Sequence, residues 1–74
     1  MNESQRLLDR EKLRDKRIRA GWSRAELARR ANLHSTHIDM LERGLRGTSP
    51  KTLNVLADVL GCDITDLMPD KAAA

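Results

Sequence analysis

The chain contains no Phe and no Tyr, and Trp22 is its single aromatic residue. Hydrophobic residues still make up 39% of its 74 positions, so the interior has to be assembled from Leu, Ile, Val and Ala. Sheets fill a pleated, half-buried surface with β-branched and aromatic side chains, whereas a core of Leu and Ala suits helices. The expected fold class is therefore all-α. A domain of this size buries only about 60% of the surface its unfolded chain exposes, which is enough for one core. Residues 1–74 read as a single domain with a core from 9 to 68 and a frayed tail over 70–74, without internal repeat or linker.

Start and stop signals divide the chain into helices. Residues 2–20 are rich in Leu, Arg, Glu and Lys, hold no Gly or Pro, and end where Gly21 can take a left-handed cap. Asn2, Ser4 and Asp9 are each able to cap this helix. Leu13, Arg17 and Ala20 share one face with Ile18 at its border, and the basic stretch Arg10–Arg19 reads as a solvated face. Ser23-Arg-Ala-Glu26 is a capping-box sequence in which Glu26 reaches back to the cap. It opens a second helix with the narrow apolar stripe Leu27, Ala28, Ala31, closed near Asn32. Leu33, Ile38 and Leu41 then pattern a third helix over 34–43, stopped by Gly44. Ser49-Pro50 starts a fourth, whose apolar residues Leu53, Leu56, Ala57 and Leu60 run to Gly61. Asp63 caps a last short helix from Ile64 to about Met68, before Pro69.

Lys and Arg outnumber Asp and Glu by 14 to 11, giving a formal net charge of +3, a bias compatible with a polyanionic partner but weak by itself. Cys62 is alone, so neither an intrachain disulfide nor a cysteine zinc cluster is available. No run of about 18 apolar residues exists to span a membrane, and the N-terminal charges do not resemble a signal peptide. A cytoplasmic location without membrane association is expected. His34 and His37 lack a third ligand nearby, so no metal site is expected. With no glycine-rich phosphate loop and no nucleophile–base pair, the chain does not read as an enzyme, and neither cofactor nor small-molecule ligand is expected.

The second and third helices are separated only by Ala31-Asn32-Leu33-His34, which is helix-turn-helix spacing over 23–44. In that arrangement the second helix of the pair protrudes far enough to enter a major groove. Wound at about 100° per residue, Ser35, Thr36, Asp39, Met40 and Arg43 fall opposite Ile38 and Leu41, on a side free of the core. Three stretches, Ser23-Arg-Ala-Glu-Leu-Ala-Arg-Arg-Ala-Asn-Leu, Ile38-Asp-Met-Leu-Glu-Arg-Gly44 and Thr52-Leu-Asn-Val-Leu-Ala-Asp-Val-Leu-Gly61, stand in the order and spacing of a known family. Over Leu13 to Leu67 the chain resembles the Cro/phage-repressor (XRE) type of helix-turn-helix domain. The resemblance implies a compact five-helix bundle of the lambda-repressor-like kind, with helix three as recognition helix and dimeric binding of double-stranded DNA at paired half-sites.

The same resemblance places base contacts at Ser35, Thr36, Asp39 and Met40. A hydroxyl serves either base edge, Met40 suits a thymine methyl, and Asp39 can accept from a cytosine amino group. The alternative for Asp39 is an intrahelical pair with Arg43. Phosphate contacts fall on Arg24, at a helix N-terminus with its backbone donors and dipole, and on Arg43, Arg46, Thr48 and Lys51. For Arg46 and Lys51 ordinary solubilising charge is the alternative. Leu45 and Thr48 depart from the family's polar residue and proline. Arg17 and Glu42 occupy positions that pair as a structural ion bridge in related domains. His34 is a chemically poor cap for helix three, so Ser35 is its possible substitute.

The function expected is sequence-specific transcription regulation by a repressor. The competing expectation is a protein-interaction module using the same surface. A weak homodimer is expected through Ile64, Leu67 and Met68, since one recognition helix touches few bases.

Overall fold

A computed structural model of the chain describes residues 7–70. Among them are four α-helices and no strand: α1 Arg10–Arg19, α2 Arg24–Ala31, α3 Ser35–Glu42 and α4 Pro50–Leu60, followed by a 3₁₀ turn at Ile64–Leu67. The all-α expectation agrees with this, but the five-helix bundle does not. The fifth segment is a single 3₁₀ turn because its sequence leaves no room to wind further. Pro69 cannot donate to a helical ladder and pushes the residue before it toward extended backbone. Met68 accordingly has φ −94° and ψ 154°.

Local chemistry sets the other boundaries. The Asp9 carboxylate accepts from the backbone N–H groups of Glu11 and Lys12 at 3.0 and 3.2 Å and starts α1; Asn2 and Ser4, the other candidate caps, and residues 71–74 of the tail lie outside the described residues. Ser23 Oγ accepts from Glu26 N–H at 3.0 Å, and Ser49 Oγ from Thr52 N–H at 3.2 Å with Pro50 beginning α4. Only half of the capping box at α2 forms as expected. Rather than reaching back to the cap, the Glu26 carboxylate takes Arg29 at 2.6 Å and Arg30 at 2.6 Å, one turn on. Asn32, left-handed at φ 59°, turns the chain out of α2, a conformation Asn tolerates better than most residues.

Leu13, Leu27, Ala28, Ala31, Ile38, Leu41, Leu53, Leu56, Ala57 and Leu67 fill the core, and Leu8 joins them from ahead of α1. Burying a leucine-sized side chain contributes about 1.5–3 kcal/mol each, so these residues carry the fold. Ala20, expected on α1's inner face, is exposed because the helix has ended there. The C-terminal segment is tied back onto α1. The Asp9 N–H donates to Leu67 O at 2.8 Å, and Lys12 Nζ donates to Met68 O at 2.8 Å and pairs with Asp70 at 2.7 Å. α3 packs on both α2 and α1, so its inner face is fixed and its outer face is left to solvent.

Candidate nucleic-acid interface

The residues that carry no obligation to the core gather on one side of α3. Ser35 and Thr36 in its first turn are exposed, and Asp39 and Met40 are half-buried. Beside them, the beginning of α2 contributes Ser23 and Arg24, which with Ser35, Thr36, Asp39 and Arg17 line a shallow groove of about 590 Å³. The groove exists because Ile38 and Leu41 are driven fully inward, which at helical periodicity turns positions 35, 36 and 39 outward. His34 caps α3 without any side-chain hydrogen bond, and Ser35 does not replace it, being already the first helical residue.

A chain of alternating charges crosses this surface. Glu42, whose carboxylate is 1% exposed, accepts from Arg17 Nε at 2.6 Å and from Arg17 Nη2 at 3.0 Å, a bidentate pair. Arg17 also donates through Nη1 to Trp22 O at 2.9 Å. Bidentate, charge-assisted contacts fix geometry as well as sign, so α1, the turn before α2 and the end of α3 are locked together at one point. Arg24 Nε donates to the same Glu42 carboxylate at 3.1 Å, and Arg24 Nη1 lies 3.6 Å from Asp39 Oδ1. Asp39 Oδ2 in turn accepts from Arg43 Nη1 at 3.4 Å. Arg24 is thus held on one edge of its guanidinium while its side chain stays 46% exposed.

The remaining cations surround the loop after α3. Arg43, Arg46 and Lys51 are all exposed. Thr48 is 3% exposed and its hydroxyl faces Ser49 O at 3.5 Å, so it packs the loop and presents no hydroxyl to a ligand. Arg10 joins this group, and nothing in the sequence marks it out. Its Nη1 donates to Arg43 O at 2.9 Å across 33 positions and places a cation at the end of α3, where the helix dipole favours one. Gly44 makes room for it: at φ +72° a Cβ there would lie 2.9 Å from that same Nη1. His37, half-buried between these groups, titrates below its ordinary value, chiefly through burial and then through the positive charges of Arg46 and His34. On the flank of α2, the Arg29 hydrogen bond foremost, with Arg30 adding to it, holds the Glu26 carboxyl at about 2.

Two other surfaces carry less chemistry. A wider groove of about 840 Å³ between α1 and the 3₁₀ turn mixes Asp9, Asp15, Asp66 and Asp70 with Lys12 and Lys16, a pattern with no single ligand charge to match. Of the three residues expected to form a dimer surface, Leu67 is fully buried, since the 3₁₀ turn aims it into the core; Ile64 is 40% exposed and Met68 half-buried. Among the described residues no helix is long and apolar enough to cross a membrane.

A family model described as helix-turn-helix matches residues 13–67. Two solved structures share the fold. The hypothetical transcription factor NHTF from Neisseria has a TM-score of 0.82 and 25% sequence identity over 96% of this chain and 80% of that one. The clp gene regulator ClgR from C. glutamicum has a TM-score of 0.75 and 26% identity, covering 89% of this chain and 84% of that one. No curated protein matches the chain.

Proposed function

The chain belongs to the Cro/C1-type (XRE) helix-turn-helix family, and from that premise we propose that it is a sequence-specific, double-stranded DNA-binding transcription regulator, acting in the cytoplasm as a repressor. Of the two structural relatives, one is by name a hypothetical transcription factor and the other a clp gene regulator. The observation that carries the reading is the outer face of α3, with Ser35, Thr36, Asp39 and Met40 turned away from the core and cations on both flanks. α3 enters the major groove. Ser35, Thr36, Asp39 and Met40 meet base edges there, while Arg24, Arg43, Arg46 and Lys51 hold the phosphates on either side. The Arg17–Glu42 pair keeps α3 at a fixed angle to the scaffold, as base reading requires.

An α3 of eight residues is about 12 Å long and spans only a few base pairs. High affinity therefore requires two copies on paired half-sites about 34 Å apart. The second copy docks through Ile64 and Met68.

Random-site selection with a duplex library tests the reading directly. The expected result is an enriched, two-fold symmetric sequence, bound with an affinity that falls steeply as salt rises. Arg46→Ala is expected to reduce the slope of log affinity against log salt by about one. No enrichment, together with a flat salt dependence, overturns the reading in favour of a protein-interaction module, for which the exposed Leu45 beside the half-buried Met40 is the feature to test.

A further inference from the structure

Asp39 lies at the centre of the outward row of α3, on the groove between the starts of α2 and α3. Its two carboxylate oxygens face different arginines. Oδ1 is 3.6 Å from Arg24 Nη1, at the beginning of α2, and Oδ2 is 3.4 Å from Arg43 Nη1, just past the end of α3. These are two of the four cations proposed above to hold phosphates, so the side chain amid the base-reading positions also occupies part of the phosphate-binding set.

Fold stability gives little reason for an acid at this position. Pairs this exposed and this far apart contribute little, and Arg24 is already anchored by the buried Glu42 at 3.1 Å. Association gives a stronger one. A carboxylate on the DNA-facing surface repels the phosphate backbone, and while it holds Arg24 and Arg43 their charge is partly spent internally. On a site that offers a cytosine amino group, the carboxylate gains a donor, and Arg43 and the free edge of Arg24, whose Nε stays on Glu42, are released to phosphates. On any other sequence it keeps its hold and its repulsion.

We propose that Asp39 is a specificity-determining residue that works mainly by exclusion, withholding Arg24 and Arg43 from DNA that does not present it with a base amino group. This rests on the DNA-binding reading above. Asp39 weakens binding to arbitrary duplex more than binding to the preferred site, and selectivity is the difference between the two.

The test compares the full chain with Asp39→Asn and Asp39→Ala on two probes: a fluorescent duplex of mixed sequence, and the duplex most enriched by random-site selection with the unaltered chain. The alanine variant is needed because an asparagine can itself read adenine. Both variants are expected to bind the mixed-sequence duplex about tenfold more tightly, with a salt slope steeper by about one, and to narrow the preference for the enriched site by at least about tenfold. Thermal unfolding of both is expected to match the unaltered chain closely. If both variants bind the mixed-sequence duplex no more tightly than the unaltered chain, or less tightly, Asp39 positions the arginines and does not withhold them, and the proposal is rejected while DNA binding stands. If neither the unaltered chain nor the variants bind any duplex, the DNA-binding reading fails and this proposal fails with it.

Discussion

Glu42 is the residue on which the geometry of the interface most depends. Its carboxylate is 1% exposed and serves Arg17 through two contacts and Arg24 through a third. A buried pair adds little net stability when complete, because desolvation offsets the attraction, yet removing one partner leaves the other charge stranded. Glu42→Ala is therefore expected to destabilise the fold by about 3–5 kcal/mol, lowering Tm by more than about 10 °C. The double variant Arg17→Met, Glu42→Leu is expected to recover most of that loss, since it strands neither charge. Denaturant unfolding followed through Trp22 fluorescence measures the free energies and thermal unfolding the Tm; a loss under about 1 kcal/mol for Glu42→Ala means that the pair does not hold α3 in place. The pairing of Arg17 with Glu42 was legible from family resemblance, whereas the third partner was not. Arg24 stands 18 positions from Glu42 and Arg10 stands 33 from Arg43, and no local periodicity links side chains across such distances.

At the scale of elements, most of the fold was written in caps and stops. Asp9, Ser23 and Ser49 each accept backbone N–H groups at the start of a helix, and the apolar spacing gave the buried faces of α2, α3 and α4. The fifth element was less legible, because a stretch of four residues is too short for its spacing to separate an α-helix from a 3₁₀ turn. The signal that decides between them is Pro69, acting on Met68. α3 is the exception among the four helices in that its cap, His34, bonds no backbone N–H with its side chain. That choice forgoes stability at the leading end of the helix proposed to enter the major groove. His34→Ser is expected to raise stability by about 1 kcal/mol, and His34→Asp by at least as much, since a carboxylate also complements the helix dipole. Their effects on DNA are expected to separate: the serine variant keeps its affinity for duplex at low salt, whereas the aspartate variant loses several-fold through repulsion. Thermal unfolding and fluorescence titration check the two halves. Equal DNA affinity for both variants means that this end of α3 does not come near the backbone.

For the whole molecule, the net charge of +3 conceals a division that matters more than its sum. Residues 54–70 contain Asp58, Asp63, Asp66 and Asp70 and no Lys or Arg. In residues 23–51 each of the three acids, Glu26, Asp39 and Glu42, is engaged by arginine, and Arg46 and Lys51 add exposed cations. Such a layout favours approach to DNA with the acidic 54–70 segment trailing. It also constrains how two copies meet. With Leu67 withdrawn into the core, the proposed dimer contact has Ile64 and Met68 as its apolar centre, with Asp63 and Asp66 close by in sequence, and a two-fold symmetric contact sets each acid group near its own copy. Screening such like charges strengthens the contact, while the same salt weakens the hold on phosphates. Affinity for a duplex with one half-site is therefore expected to fall steeply with salt, whereas the cooperative advantage of two half-sites over one is expected to persist or grow. Ile64→Asp is expected to remove that advantage and leave single half-site affinity within about twofold, because it adds a like charge to the contact without touching the DNA-facing side. Titrating the chain and this variant against duplexes with one and two half-sites, at low and at moderate salt, measures both effects. Cooperativity that survives Ile64→Asp places the contact elsewhere, and the other large apolar side chains exposed among the described residues, Ile18 and Leu45, are then the ones to alter.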